Sequence, residues 1–177
     1  MHRLFVALRP PYAMRAQLIG LMGGVQNARW QSDDQLHLTL RFIGEVDGRK
    51  ADDIALALHA IDRPRPTIAL AGAGSFDRRG QVHTLWAGVA ADDALKLLHD
   101  RVERALARAG VAPDERAYKP HITMARLSRD AGPVEPFVAR AAGLTSPPAT
   151  IDAFILFESS LGSEGAAYHA VARYPLT

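Results

Sequence analysis

Polar and apolar residues alternate along "LHLTLRFIG" (36–44). Leu36, Leu38, Leu40 and Phe42 are apolar, and His37, Thr39 and Arg41 stand between them. A period of two predicts a strand with one buried face. "RLFVALRP" (3–10) is an earlier apolar strand that ends in Pro10 and Pro11. In 11–23, Met14, Leu18, Leu21 and Met22 fall near helical spacing behind prolines suited to a first turn. Trp30 lies in a polar connection. Segment 47–61 opens with acidic residues and sets Ile54, Leu58 and Ile61 on one side of a helix; 67–76 reads as a strand.

The pattern then starts again. "HTLWAGVA" (83–90) is a strand. Segment 92–110 is a helix, with Leu95, Leu98, Val102 and Leu106 on one stripe and Gly110 as its stop. A proline-bearing connection leads to "HITMARL" (121–127), a strand. A short helix falls within 132–143, a strand at 149–159, a turn at "LGSEG" (161–165) and a last strand at 165–176. Each half reads strand, helix, strand, helix, strand. The expected fold is α+β: two similar lobes, each an antiparallel sheet with helices packed outside, around a central cleft. With no linker between the halves, the expectation is one bilobal domain over 1–177, with approximate halves 1–80 and 81–177.

Composition narrows the chemistry. The 177 residues are 48% hydrophobic and 23% charged, the balance of an ordinary globular domain. A formal charge of +2 without a Lys/Arg block suits a small phosphorylated ligand or an RNA end better than a long duplex. There is no cysteine, which removes disulfides, thiolate metal sites and a cysteine nucleophile together. No apolar run approaches a membrane span, and the apolar stretch at 4–8 is too short for a signal-peptide core; the expected location is the cytoplasm.

Both middle strands carry His-apolar-Thr-apolar: "HLTL" at 37–40 and "HITM" at 121–124. Seven histidines and seven threonines in a chain of this length give roughly 0.3 chance matches to His-x-Thr. Two matches at corresponding places in repeated halves are therefore a signal. On a strand, His37 shares a face with Thr39, and His121 with Thr123, about 6–7 Å apart along the chain. Imidazoles titrate near neutrality, so a facing pair supplies a general base and a general acid. Breaking a P–O bond in line uses both, while threonine hydroxyls and an arginine donate to the charged phosphate oxygens. That pairing predicts a bell-shaped pH dependence with two limbs near neutrality. Asp34 is the one carboxylate within three positions of either histidine, and with no H-E-x-x-H or H-x-H pattern that is too few ligands for a metal site, so the expectation is no metal and no cofactor. His2, His59, His83, His99 and His169 read as structural. A module that binds nucleotides or RNA ends without turnover remains open, although arginine and lysine alone would serve that purpose.

The sequence resembles the two-histidine phosphoesterases, and within them the RNA 2',3'-cyclic phosphodiesterases, once described as 2'-5' RNA ligases. "RLFVALRPP", "LHLTLRFIGEV", "TLWAGV", "KPHITMARL" and "FILFESSLGSEGAAYHAVARYPL" carry the resemblance over nearly the whole chain. It implies two α+β lobes around a cleft and metal-independent opening of a 2',3'-cyclic phosphate to a 2'-phosphate. It implies His37 as proton donor to the leaving 3' oxygen, His121 as proton acceptor from water, and Thr39, Thr123 and Arg126 as phosphate holders. The residues alone do not distinguish acid from base. The implied partner is an RNA or oligonucleotide with a cyclic phosphate end, with cyclic mononucleotides as a smaller alternative; no membrane or protein partner is inferred. Reverse 2'-5' ligation is open through microscopic reversibility. Strict alternation conflicts with one assignment: it turns Arg126 away from His121, and gives Arg41 the parity of His37. Only a bulge or a strand end would return Arg126 to the cleft. Trp30, Trp86 and Tyr118 are candidates for stacking on a base, against a packing role for each.

Overall fold

A computed structural model describes residues 1–163 and 165–177. Glu164, inside the expected turn at 161–165, lies outside the described residues. The elements in chain order are β1 (His2–Leu8), α1 (Tyr12–Leu21), β2 (Arg29–Trp30), a 3-10 turn (Asp33–Gln35), β3 (Leu38–Val46), α2 (Gly48–His59), β4 (Thr67–Arg78), β5 (Gln81–Ala91), α3 (Asp93–Arg108), β6 (His121–Arg126), α4 (Glu135–Ala141), β7 (Ala149–Thr150), β8 (Ala153–Gly162) and β9 (Gly165–Pro175). The expected helices and strands are present, with ends shifted by a few residues. The 3-10 turn was not expected, and two strands differ from expectation. Trp30 sits in the short strand β2, and the single strand expected over 149–159 is broken into β7 and β8.

All strands join one antiparallel sheet in the order β7-β4-β5-β6-β3-β1-β8-β9, with β2 on β6. The two lobes meet at β3 and β6, which share a single aligned pair, Leu38 opposite Ile122. One lobe holds β3, β1, β8 and β9; the other holds β6, β5, β4 and β7. The halves 1–80 and 81–177 therefore do not each form a lobe. β4, from the first half, pairs with β5 and belongs to the second lobe. β8 and β9, from the second half, complete the first lobe on β1. The boundary at 80/81 falls in the tight β4–β5 turn, where Arg79 and Gly80 both take positive φ. The break after β7 has the same origin: β7 pairs with β4 in one lobe, and β8 with β1 in the other. The chain crosses between lobes at Ile151 and Asp152, whose backbone groups bond Pro66 and Leu176.

The helices cover one face of the sheet. α3 buries Leu95, Leu98, Val102, Ala105 and Leu106 and packs against β3, β5 and α2. Asp92 caps it by accepting from the Leu95 N–H, and Asp47 does the same for α2 at Lys50. Leu38, Leu40, Ile122 and Met124 point into this helix-covered core with 2% exposure or less. Alternation then puts His37, Thr39, His121 and Thr123 on the opposite face, away from that core. A buried Leu→Ala change on the core side would cost about 2–5 kcal/mol, which is what fixes the register of both motif strands. Among the described residues, no helix is long and apolar enough to cross a membrane.

Candidate active site

The two motifs enter the sheet in the same way. Each histidine stands at the mouth of its strand and bonds the backbone carbonyl two residues earlier. His37 Nδ1 lies 2.7 Å from the Gln35 oxygen, and His121 Nδ1 lies 2.7 Å from the Lys119 oxygen. A carbonyl only accepts, so both Nδ1 atoms carry their proton and both Nε2 atoms are left for chemistry. Extending the Leu38–Ile122 register sets His37 across from Thr123 and Thr39 across from His121. The four residues thus form a crossed set on one face of the sheet.

A bulge resolves the position of Arg126. Against β5, Ala125 pairs with Leu85 and Thr123 with Trp86, which leaves Met124 without a partner. The extra residue reverses the parity: Met124 and Ala125 are both buried, and Arg126 emerges on the face of His121 and Thr123. The same bulge recurs in the other lobe. Against β1, Arg41 pairs with Val6 and Thr39 with Ala7, with Leu40 left over. Arg41 consequently turns into the core. It is 8% exposed and bonds the Glu103 carboxylate at 3.0 Å and the Ala112 carbonyl at 2.6 Å. Arg41 is a structural arginine, and the parity expected for it from alternation does not hold. Phe42 takes the place that Arg126 holds across the cleft.

Aromatic rings wall each imidazole. His37 lies 4.8 Å from Phe5, 5.2 Å from Tyr168 and 6.4 Å from Phe157, centroid to centroid. His121 lies 5.0 Å from Phe76 and 6.1 Å from Trp86. The Lys119 ammonium sits 4.6 Å over the Trp86 ring. Of the three stacking candidates, only Trp86 borders the site. Trp30 packs on Phe137 of α4. Tyr118 stacks on His99 at 4.0 Å, and its hydroxyl donates to the Thr39 carbonyl at 3.0 Å. His99 is correspondingly a packed residue rather than a surface one.

Burial sets the charge state. It pushes the His37 imidazole down to about 4, helped by the positive charges of Arg126 and Arg9 and by coupling to His121; the bond to Gln35 opposes this. Burial also lowers His121, with Lys119 and Arg126 acting in the same direction. With no anion bound, both imidazoles are therefore neutral at pH 7, and the two limbs expected near neutrality move to the acid side. The Arg126 charge reaches both histidines, so an anion between them would relieve the repulsion and raise both.

Sequence reasoning missed Gln35. Its carbonyl orients His37, its amide donates to the Ala166 oxygen of β9 at 2.7 Å, and its side-chain oxygen accepts from the Ser32 N–H at 2.9 Å. The Ser-x-x-Gln capping box at 32–35 was the available signal. Phe5, Phe76 and Tyr168 were missed because they lie on strands remote from the motifs. Among the described residues, no group of three or more His, Asp or Glu converges in a way that could hold a metal ion. A cavity of about 490 Å³ between α1 and α4 lies apart from the histidines and is lined by no imidazole or carboxylate.

Comparison with known proteins agrees with this geometry. The model of the 2'-5' RNA ligase superfamily matches residues 24–162, which include both motifs. An RNA 2',3'-cyclic phosphodiesterase of Aeropyrum pernix is 38% identical over 54% of this chain, a match that spans about half of that relative's own length (54%). One from Escherichia coli is 30% identical over 99% of this chain and 97% of its own. The crystal structure of Escherichia coli LigT complexed with 3'-AMP superposes with a TM-score of 0.79 at 28% identity, covering 99% of this chain and 98% of the other. A match of this extent, carried on a shared fold, means that the chain belongs to the 2'-5' RNA ligase superfamily.

Proposed function

We propose that this chain hydrolyses 2',3'-cyclic phosphate ends of RNA to 2'-phosphomonoesters by general acid–base catalysis without a metal. The observation that carries the reading is the matched presentation of two imidazoles. Each is fixed through Nδ1–H to a carbonyl two residues back, and each leaves Nε2 on the face of one sheet that points away from the core. His121 Nε2 takes a proton from water as the water oxygen attacks phosphorus. The P–O3' bond opposite breaks, and protonated His37 Nε2 gives its proton to O3'. Thr39 and Thr123 donate to the nonbridging oxygens, and Arg126 balances their charge. The relatives named RNA 2',3'-cyclic phosphodiesterase support the reaction class.

The neutral state of His37 in the empty cleft fits this scheme when the substrate brings the counter-charge. Its anionic phosphate offsets Arg126 and Arg9 and raises His37, so a proton is taken up on binding. The test is product analysis on a short RNA ending in a 2',3'-cyclic phosphate, with a pH–rate profile. The expected product is the 2'-phosphate, formed equally well with a chelator present. The expected kcat/KM optimum lies below pH 6.5, and the kcat optimum lies above it on the pH scale. A 3'-phosphate product would reverse the roles of the leaving oxygens and remove His37 as the donor to O3'.

A further inference from the structure

β2 is only two residues long, yet it places a second arginine at the site. Arg29 stands directly across from Arg126 in the β2–β6 pair. Directly opposed residues in an antiparallel pair project from the same face, with Cβ atoms ~5 Å apart. The bulge at Met124 turns Arg126 onto the face of His121 and Thr123, and Arg29 therefore shares that face. Two like charges directly opposed are unfavourable in themselves. Both side chains are exposed. Among the described residues, neither has a carboxylate at ion-pairing distance, whereas Arg9 and Arg15 share Asp33 and Arg41 holds Glu103.

The far end of Arg29 is also placed. Its Nη1 lies 3.5 Å from where a Cβ on Gly165 would stand, and Gln35 Nε2 lies 3.7 Å from the same point. Gly165 has φ +102 and opens β9, which Gln35 ties down through the Ala166 carbonyl. A side chain at 165 would be strained by the positive φ, and its Cβ would rest in van der Waals contact with the guanidinium. Arg29 thus spans from the second lobe, through β6, to the hairpin of the first, one strand further along the face than Arg126.

We propose that the two arginines read two successive phosphates: Arg126 the cyclic phosphate, and Arg29 the phosphodiester that joins the terminal nucleotide to its 5' neighbour. This rests on the hydrolase reading and makes it more specific. A cyclic mononucleotide fills only half of the charged row, and an RNA end fills all of it. The guanidinium pair that repels in the empty protein becomes a two-phosphate clamp when an RNA end enters.

The test compares a nucleoside 2',3'-cyclic phosphate with the dinucleotide that carries the same cyclic end, in wild-type protein, Arg29→Ala and Arg29→Lys. Wild type should favour the dinucleotide by about ten-fold or more in kcat/KM. Arg29→Ala should lose about ten-fold on the dinucleotide, mainly in KM, with less than two-fold change on the mononucleotide; Arg29→Lys should fall between. The salt dependence of the dinucleotide reaction should become shallower by about one phosphate contact in Arg29→Ala. An equal loss on both substrates, or an unchanged ratio between them, overturns the second-phosphate subsite. Where alanine unsettles β2, judged by circular dichroism and thermal midpoint, Arg29→Gln repeats the comparison. A wild-type protein inert on both substrates would instead sink the hydrolase reading, and this inference with it.

Discussion

The two motif sites share a frame and differ in what surrounds it. In each lobe a histidine bonds the carbonyl two residues back, a threonine follows on the same face, and a bulge follows the threonine. Beyond that point the lobes diverge. His37 sits in an aromatic pocket of Phe5, Phe157 and Tyr168, and the position after its bulge is Phe42. His121 meets Phe76 and Trp86 with Lys119 above them, and the position after its bulge is Arg126. The first lobe provides dryness and the second provides charge. Two imidazoles with one backbone geometry thereby meet different surroundings, and burial depresses the His37 imidazole strongly, so under the proposed scheme the substrate phosphate must raise it before it can donate.

The largest effect that can break this comparison is loss of either histidine. His37→Ala and His121→Ala should each reduce turnover of a cyclic-phosphate substrate by about 10²–10⁴-fold while the fold persists. Added imidazole sharpens the contrast: it should restore more of the activity of His121→Ala than of His37→Ala, because three aromatic rings crowd His37 and two border His121. Equal rescue of both variants would show that the aromatic wall around His37 does not seal it.

A smaller effect concerns acid stability. His37 titrates near 4 in the folded protein and near 6.5 when unfolded. Above 6.5 both states are neutral there and the stabilisation is complete. As pH falls from 6.5 towards 4, the unfolded chain takes up the proton first, and stability drops by about 3 kcal/mol at most. Urea midpoints measured across this window should fall in wild type and fall less in His37→Gln. Parallel slopes in the two proteins would mean that His37 is not held neutral by its pocket.

The smallest effect tests how far the lobes are coupled. Tyr118 belongs to the segment that leads into the second motif, and its hydroxyl donates to the Thr39 carbonyl of the first. Burial keeps that phenol in its protonated, donating form. Tyr118→Phe removes one hydrogen bond and should cost about 1 kcal/mol of stability and a few-fold in kcat, with KM held. A loss as large as that of the histidine variants would mean that the first motif depends on the second for its shape.

Period-two alternation made the motif strands, and the faces of His37, Thr39, His121 and Thr123, legible from sequence, because a buried face constrains side chains that strictly. The face of Arg126 was not legible. A single unpaired residue, Met124, reverses it, and nothing in "HITMAR" distinguishes a bulged strand from a regular one. Arg41 was misplaced for the same reason at Leu40. The helix stripe of Leu95, Leu98, Val102 and Leu106 was legible because its spacing is local. The pairing of β4 with β5, and of β8 with β1, was not, since periodicity shows that a strand has a buried face but does not identify its neighbour. The holds on Nδ1 come from backbone carbonyls, which every residue possesses, so Lys119 left no side-chain trace of that role, and Gln35 left only its capping box.

The exchange of strands between the lobes makes the chain its own domain-swapped partner. A chain cut in the β4–β5 turn would give two pieces, neither of which closes a sheet: one would carry β4 without β5, and the other β8 without β1. His37 and His121 would be on different pieces. The pieces would have to interlace before the trough existed, so reconstituted turnover would count completed assemblies and nothing less. In the intact chain the same weave means that a half-made molecule, with only its first strands folded, has no paired histidines.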